Sequence, residues 1–269
     1  MILRWLDRTE LPVEMERLTP GVLLGLAPEA VARATVRVGN RDAELGDVFS
    51  VHTDGNAALT LEGDLRHVRG IGRGMEGGSL VVRGRAGPHL GSGMSGGTIE
   101  VHGDAEDWAG AAMRGGMLRV RGRAGRFLGG AYPGSRLGMR DGVILVDGDV
   151  GDEAGRKMRR GLIVVGGAAG EGFGRGLVAG SLLAFGPLGR FAGAGMKRGT
   201  IAALGAGPTE LLPTFAPTGR YRFPFLAVYL RRLADWGFRV PVDVFSAESE
   251  RYNGDLADGG RGEILVRAG

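Results

Sequence analysis

Histidines and turn aspartates are the residues of this 269-residue chain whose types could bind a metal or exchange protons with a substrate. They are His52, His67, His89 and His102, and Asp104, Asp107, Asp149 and Asp152. A zinc site needs three or four converging ligands, and acid-base catalysis needs a carboxylate within reach of the reacting group. Either chemistry therefore depends on folding bringing these side chains together.

Two glycine-rich segments, residues 72–77 and 91–96, match the dinucleotide-binding pattern GxGxxG. That pattern binds a phosphate only where it connects a strand to a helix N-terminus. The chain contains no cysteine, which excludes thiolate nucleophiles, disulfides and ligation of an iron–sulfur cluster by this chain. The candidates must be judged by the elements that position them.

Those elements follow a repeat of about 19 residues, in which an apolar tetrad ends in a glycine, here named the closing glycine. The closing glycines are Gly63, Gly84, Gly103, Gly122, Gly148, Gly167, Gly186 and Gly205. A second column, each member followed three residues later by glycine, is Met75, Met94, Met113, Met139, Met158, Leu177 and Met196. Both columns keep one register through a unit of 26 residues, so chance periodicity is excluded.

Each tetrad has apolar residues four and two positions before its closing glycine, which predicts a strand with one buried face. A 19-residue unit is shorter than the roughly 30 residues of a strand–helix–strand unit. We therefore expect an all-β fold, a single-stranded right-handed parallel β-helix with glycine at its corners and the methionines stacked inside. The expected division is an N-terminal capping region (1–57), the repeats (58–219) and a C-terminal helix and tail (220–269).

Stacked coils bring together only residues of the same column, and the four histidines occupy different columns. We therefore expect no metal site in this chain, and we expect both GxGxxG segments to be corners. Aspartates in turns favour solvation over catalysis, so no catalytic residue is expected. The alternative is a self-contained β-helix enzyme that uses turn carboxylates such as Asp107 and Asp152, or arginines.

The 26-residue unit, residues 117–142, carries an insertion that includes Tyr132, Pro133 and Arg136. Insertions in repeat folds form loops on one face that often make contacts. The insertion is thus the best local candidate for a partner or ligand contact, against the alternative of a neutral bulge.

Outward positions of the tetrads change from polar to apolar along the chain, so the coils from residue 143 onward need a cover. Residues 225–236 predict a helix with Leu226, Leu230 and Leu233 on one side, after Pro224 and before Gly237. This helix could fold back over the apolar face, or both could meet a partner subunit.

The net charge of +4 comes from 34 basic and 30 acidic residues that are interspersed, which favours an ordinary surface over an anionic ligand, with nucleic acid least favoured. The start of the chain has no apolar signal core, and the longest uncharged stretch, residues 176–189, is too short to span a bilayer. The expected location is the cytoplasm.

The sequence resembles the C subunits of formylmethanofuran dehydrogenases and of the related bacterial formyltransferase/hydrolase complex. The resemblance rests on GGTIEVHGDAEDWAGAAMRGG, on GSRLGMRDG in the long unit, on GMKRGTI and on RYNGDLADGGRGEILV near the end. It covers nearly the whole chain, including the insertion and both flanks.

The resemblance implies a scaffold subunit that holds no metal. It implies an amidohydrolase-like zinc-dependent hydrolase, a formyltransferase and a further homologous subunit as partners, with no nucleic acid and no membrane. Together these subunits would move formyl from formyl-tetrahydromethanopterin to a methanofuran analogue and release formate; the tungsten or molybdenum dehydrogenase complex is the alternative. The arginines Arg114, Arg136 and Arg140 are the candidates for contact with an anionic, glutamate-rich carrier arm.

Overall fold

The computed structural model describes residues 1–53, 55–205 and 210–268, and most of its regular structure is strand. The strands are β1 Ile2–Trp5, β2 Val13–Glu14, β3 Thr35–Val38, β4 Arg41–Glu44, β5 Phe49–His52, β6 Ala58–Glu62, β7 Val68–Arg69, β8 Ser79–Arg83, β9 Thr98–Val101, β10 Arg114–Val120, β11 Asp141–Val146, β12 Leu162–Val165, β13 Ser181–Ala184, β14 Thr200–Ala203, β15 Ala216–Tyr221, β16 Ser249–Gly254 and β17 Gly262–Arg267. The helices are α1 Pro20–Leu23, α2 Pro28–Ala32, α3 Leu45–Val48 and α4 Pro224–Asp235, with short 3-10 helices at Val242–Phe245 and Leu256–Asp258. The all-β class predicted from the tetrads is confirmed.

The tetrads form a ladder in which β6 and β8 to β14 pair in parallel, each with the strand of the next repeat. Leu118 pairs with Ile144 across the 26-residue unit, so the insertion leaves the register of the ladder unchanged. A second row of parallel bridges begins at Leu65 and Ala86 and continues repeat by repeat to Leu188. The register read from the closing glycines is therefore the register of the fold.

The interior of the repeats explains why the methionine and glycine columns occur together. All seven members of the methionine column are fully buried. Gly97 has a φ of +80°, and a Cβ placed there would lie 2.6 Å from the carbonyl oxygen of Gly78 and 2.6 Å from Met75 Cε. The methionine of one repeat thus fills the space that the glycine of the next repeat leaves open.

Both flanks of the repeats donate strands to the same sheet, which the sequence patterns do not indicate. At the N-terminal end β1 pairs in parallel with β6, with Leu3 opposite Leu61, and β5 pairs with β1 in antiparallel orientation. At the C-terminal end β17 pairs in parallel with β14, with Ile264 opposite Ile201, and β16 and β15 follow in antiparallel orientation. Separately, β4, β3, β2 and β7 form a four-stranded sheet.

The helix α4 covers the apolar outer face of the later repeats. Leu226, Leu230 and Leu233 of the helix form one buried cluster with sheet residues. The other members of that cluster include Leu145, Leu162, Val164, Leu183, Ala202 and Leu265 on strands, and Leu204 directly after β14. Burying one leucine side chain contributes about 1.5–3 kcal/mol relative to leaving it exposed. Of the two alternatives left by the sequence, the chain's own helix is the cover of these residues.

Within the described ranges, no helix has the length and apolar character that crossing a membrane requires.

Candidate functional site

The insertion folds back against the neighbouring repeat. The backbone N–H of Ala131 donates to the carbonyl oxygen of Arg156 at 3.0 Å, and that of Gly138 donates to Lys157 at 2.9 Å. The ammonium group of Lys157 donates to the carbonyl oxygen of Ser135 at 3.3 Å. Lys157 replaces the small residue found at this position in most repeats, and this contact gives its side chain a structural role beneath the insertion.

A stack of aromatic rings joins the insertion to the corner of the repeats. The Tyr132 ring lies on Trp108, with ring centroids 4.9 Å apart, and Trp108 lies on Phe127 at 4.2 Å. The hydroxyl of Tyr132 is hydrogen-bonded to His89 Nδ1 at 2.9 Å. His89, Trp108 and Phe127 all stand five residues after a closing glycine, with φ between +61° and +67°. None of the sequence predictions included this stack, although the repeat position shared by the three residues was a signal for it.

A polar cleft of about 760 Å³ opens beside His89, between the four-stranded sheet and the first repeats. Its lining is Glu14, Glu16, Arg17, Thr35, Val36, Arg37, Gly39, Asp42, Arg69, Arg73 and His89. Arg73 is ion-paired with Glu16, and Arg69 lies 3.7 Å from Glu14. Burial lowers the pKa of His89 below its usual value, and the charges of Arg73 and Arg69 lower it further. The lowered pKa favours the neutral imidazole, whose Nδ1 is hydrogen-bonded to the hydroxyl of Tyr132.

The turn aspartates bind backbone of the following repeat. Asp107 Oδ1 accepts a hydrogen bond from the backbone N–H of Arg126 at 2.7 Å, and Asp107 Oδ2 accepts from the guanidinium of the same residue at 2.8 Å. The same backbone contact is made by Asp104 to Arg123, by Asp149 to Ala168 and by Asp152 to Glu171, each at 2.8 Å. Each contact spans 19 residues, so these carboxylates tie consecutive repeats together.

The four histidines do not meet in one site. Among the described residues, no group of three or more His, Asp or Glu side chains could hold a metal ion. The two GxGxxG segments, 72–77 and 91–96, lie in turns that lead into the next strand instead of a helix. Neither segment has the helix N-terminus that a dinucleotide phosphate requires.

Two of the three candidate arginines lie side by side. Arg114 begins β10, Arg140 directly precedes β11, and both side chains are exposed. The backbone N–H of Arg140 donates to the carbonyl oxygen of Met113 at 2.7 Å, so Arg140 lies beside Arg114 on the adjacent repeat, where the residue paired with Arg114 is Asp141. Arg136 is exposed on the insertion, four residues earlier in the chain. None of the three has a carboxylate partner within the residues that the structure describes.

Comparison with known proteins finds relatives over part of the sequence and over the whole structure. The chain is 35% identical over 85 residues to the C subunit of the Fhc formyltransferase/hydrolase complex of Methylorubrum extorquens. It is 32% identical over 83 residues to the C subunit of the tungsten-containing formylmethanofuran dehydrogenase 2 of Methanothermobacter wolfeii. These alignments span 31% and 29% of this chain, and 32% and 31%, about a third, of the curated relatives. No family model matches the chain.

A solved structure matches the entire chain. It is a chain of the formyltransferase/hydrolase complex (FhcABCD) from Methylorubrum extorquens in complex with methylofuran. The superposition has a TM-score of 0.89 and 32% sequence identity, and it covers 100% of both chains.

Proposed function

The chain belongs to the family of C subunits of formyltransferase/hydrolase and formylmethanofuran dehydrogenase complexes. We propose that it is a non-catalytic scaffold subunit. The complex is a formyltransferase/hydrolase that moves the formyl group of formyl-tetrahydromethanopterin to a methanofuran analogue and hydrolyses it there, which releases formate and the free carrier, in one-carbon metabolism. The observation that carries the proposal is the full-length match to a chain of the FhcABCD complex at a TM-score of 0.89.

The scaffold proposed is a single-stranded right-handed parallel β-helix. Its support is the parallel ladder from β6 to β14. A second row of parallel bridges, which lies two residues after each closing glycine from Leu65 to Leu188, supports it further. The proposed division is a capping region at 1–57, repeats at 58–219 and a helix-containing tail at 220–269. Because each flank adds a strand to the ladder, β1 at one end and β17 at the other, the three parts form one folding unit in this proposal.

The partners proposed are an amidohydrolase-like hydrolase subunit, a formyltransferase subunit and a further homologous subunit, assembled in the cytoplasm. The methylofuran-type carrier and zinc are held through those partners. Support for the carrier comes from the solved FhcABCD complex, which contains methylofuran.

Arg114, Arg136 and Arg140 are proposed to contact the anionic arm of the carrier. The support is local: Arg114 and Arg140 are exposed neighbours, and Arg136 is exposed on the anchored insertion, four residues before Arg140. Substitution of all three by glutamine should lower the coupled rate of the complex and weaken its dependence on salt. An unchanged rate and an unchanged salt dependence would remove these residues from the carrier site.

The alternative function is that of the C subunit of a tungsten or molybdenum formylmethanofuran dehydrogenase, which the Methanothermobacter wolfeii relative favours. The two functions differ in the partners that co-purify and in the metal content of the complex. Tungsten or molybdenum in the purified complex would favour the dehydrogenase, and a formyltransferase partner would favour the primary proposal.

The deciding experiment is expression of the chain alone and together with the neighbouring genes of its genome, followed by native mass spectrometry and a formate-release assay. The proposal expects a stable hetero-oligomer that releases formate and a lone chain that does not. A well-behaved monomer that never co-purifies with a hydrolase or a transferase would end it. Turnover by the isolated chain, abolished by Asp107→Ala or Asp152→Ala, would instead favour a self-contained enzyme.

A further inference from the structure

The arginines of the repeats, residues 58–205, divide into paired and unpaired sets. The paired set, each within 4.0 Å of a carboxylate, is Arg66, Arg69, Arg73, Arg83, Arg85, Arg119, Arg121, Arg123, Arg126, Arg156, Arg175 and Arg190. The set without a carboxylate partner among the described residues is Arg114, Arg136, Arg140, Arg159, Arg160 and Arg198. Apart from Arg136 on the insertion, the unpaired arginines lie along one edge of the ladder.

That edge is defined by the residues that directly follow the buried methionine column. The backbone N–H groups of Arg140, Arg159 and Lys197 donate to the column residue of the preceding repeat at 2.7–2.8 Å, which fixes them as equivalent positions. Arg160 and Arg198 occupy the next position of the same repeats. We name these residues the cationic stripe: Arg114, Arg140, Arg159, Arg160, Lys197 and Arg198. All six are exposed.

The stripe is electrostatically unfavourable in the isolated chain. Like charges that face each other on adjacent strands destabilise a sheet, and Arg114, Arg140 and Arg159 follow one another at about 4.8 Å per repeat. Asp141, the strand partner of Arg114 across β10 and β11, is an exposed carboxylate within this row and offsets one of the six positive charges. Another row of the ladder alternates charges, since Glu62 is paired with Arg83 across β6 and β8 and lies 3.3 Å from it. An anion lying along the stripe would remove the repulsion and gain charge-assisted hydrogen bonds.

The dimensions of the stripe suit one extended acidic chain. From Arg114 to Lys197 there are four repeat steps, about 19 Å at 4.8 Å per step. One repeat between Arg159 and Lys197 carries the uncharged Val178 in this row. An extended polypeptide rising about 3.3 Å per residue covers the full length in about six residues. The stripe is one or two side chains wide. A DNA duplex presents phosphates on both sides of a groove about 12 Å wide, which a single row does not match.

We propose that the cationic stripe is a docking surface for an extended acidic segment of a partner subunit, which lies along the stack of repeats. Charge complementarity defines the segment, and the full-length match to a chain of a multi-subunit complex supplies the class of partner. This interaction goes beyond the proposed function and shares only Arg114 and Arg140 with the proposed carrier contact. Arg159, Arg160, Lys197 and Arg198 belong to the stripe alone.

The first test measures binding of a fluorescein-labelled peptide of ten glutamates to the full-length chain by anisotropy at 50 mM and 150 mM salt. Arg159→Glu with Arg160→Glu should weaken binding at least tenfold. The matched control, Arg231→Glu with Arg239→Glu, makes the same charge change at exposed residues of the tail and should stay within twofold. Absence of binding by the unmodified chain, equal losses in both variants, or equally tight binding of a ten-nucleotide thymidine oligomer would overturn the proposal.

The second test identifies the occupant in the assembled complex. Because the chain has no cysteine, Arg160→Cys creates a unique attachment point for a benzophenone photocrosslinker. A crosslink to an acidic segment of a partner polypeptide supports the proposal. A crosslink to the carrier, or an assembled complex without any crosslink, overturns it. If no complex assembles, the proposed function fails, and the peptide titration still decides whether the stripe binds acidic chains.

Discussion

Replacing Arg119 should release the end of α4 from the repeats. Arg119 lies on β10, and its side chain is only 9% exposed. Its guanidinium donates to the carbonyl oxygens of Trp236 at 2.6 Å and Gly237 at 2.9 Å, which end α4, and to Asp147 at 3.0 Å. A cation at the C-terminus of a helix also interacts favourably with the helix dipole. One side chain therefore joins the repeat, the helix end and a neighbouring carboxylate.

The expected cost of Arg119→Met follows from these contacts. Two charge-assisted hydrogen bonds contribute about 1.5–3 kcal/mol each, and methionine keeps much of the apolar packing. The loss is smaller than the sum because Gly237 is exposed and its carbonyl oxygen can bind water. Asp147 also retains Arg121 at 3.5 Å. We expect the free energy of unfolding to fall by about 2–3 kcal/mol, which for a chain of this size lowers Tm by about 4–10 °C.

Thermal unfolding and hydrogen exchange measure this effect. The matched control is Arg121→Met, because the Arg121 side chain is 42% exposed and its ion pairs should contribute about 0–1 kcal/mol. Amide exchange in residues 226–238 should accelerate in Arg119→Met, while β8 and β9 stay protected, because each repeat contacts mainly its neighbours. Equal losses in the two variants, or unchanged exchange in α4, would refute this account of Arg119.

Three further predictions concern the repeats and the insertion. Gly116→Ala should destabilise the chain by about 1–3 kcal/mol, because a Cβ at Gly116 would lie 2.7 Å from the Gly97 carbonyl oxygen. The control is Gly77→Ala, whose Cβ would meet no atom within 4 Å and which should change the Tm little. Asp107→Ala should lower the free energy of unfolding by about 1 kcal/mol through loss of its backbone contact, with the formate-release rate of the complex unchanged; a lost rate in a stable variant would contradict the structural role. The pKa of His89 is lower in the folded chain than in the unfolded chain, so on acidification the unfolded chain is protonated at His89 before the folded chain is. The free energy of unfolding is therefore unaffected by His89 above about pH 6.5 and falls as the pH drops toward the folded pKa. His89→Gln should flatten that part of the Tm profile between pH 7 and 5, and an identical profile would contradict it.

The repeat itself was predictable because two independent columns of residues repeat in one register. Period two within each tetrad fixed the strands, and the glycine and methionine columns fixed which strands are neighbours. The same logic predicted the helix at 225–236, which the structure has at Pro224–Asp235, because proline, glycine and the spacing of its leucines are local signals.

What the sequence did not reveal depends on contacts between distant segments. Strands β1 and β17 are single copies, so no periodicity marks them as members of the ladder. The contact between Tyr132 and Trp108 requires knowing how the insertion folds back. The backbone contacts of the turn aspartates were hidden for a different reason, since a solvated carboxylate and a carboxylate that binds the next repeat have the same sequence pattern. The sequence indicates Arg114 and Arg140 as separate candidates for a carrier contact, and the row that they share with Arg159 is visible only once the repeats are stacked.

The two ends of the ladder carry antiparallel strands, β5 on β1 and β16 on β17. A parallel stack of repeats cannot continue through such a terminus, so the number of repeats is fixed by the chain. Each repeat of the ladder adds about 4.8 Å to the separation of the two ends. The length of the fold is therefore set in whole repeats, and the number of repeats fixes the distance between its two capped ends.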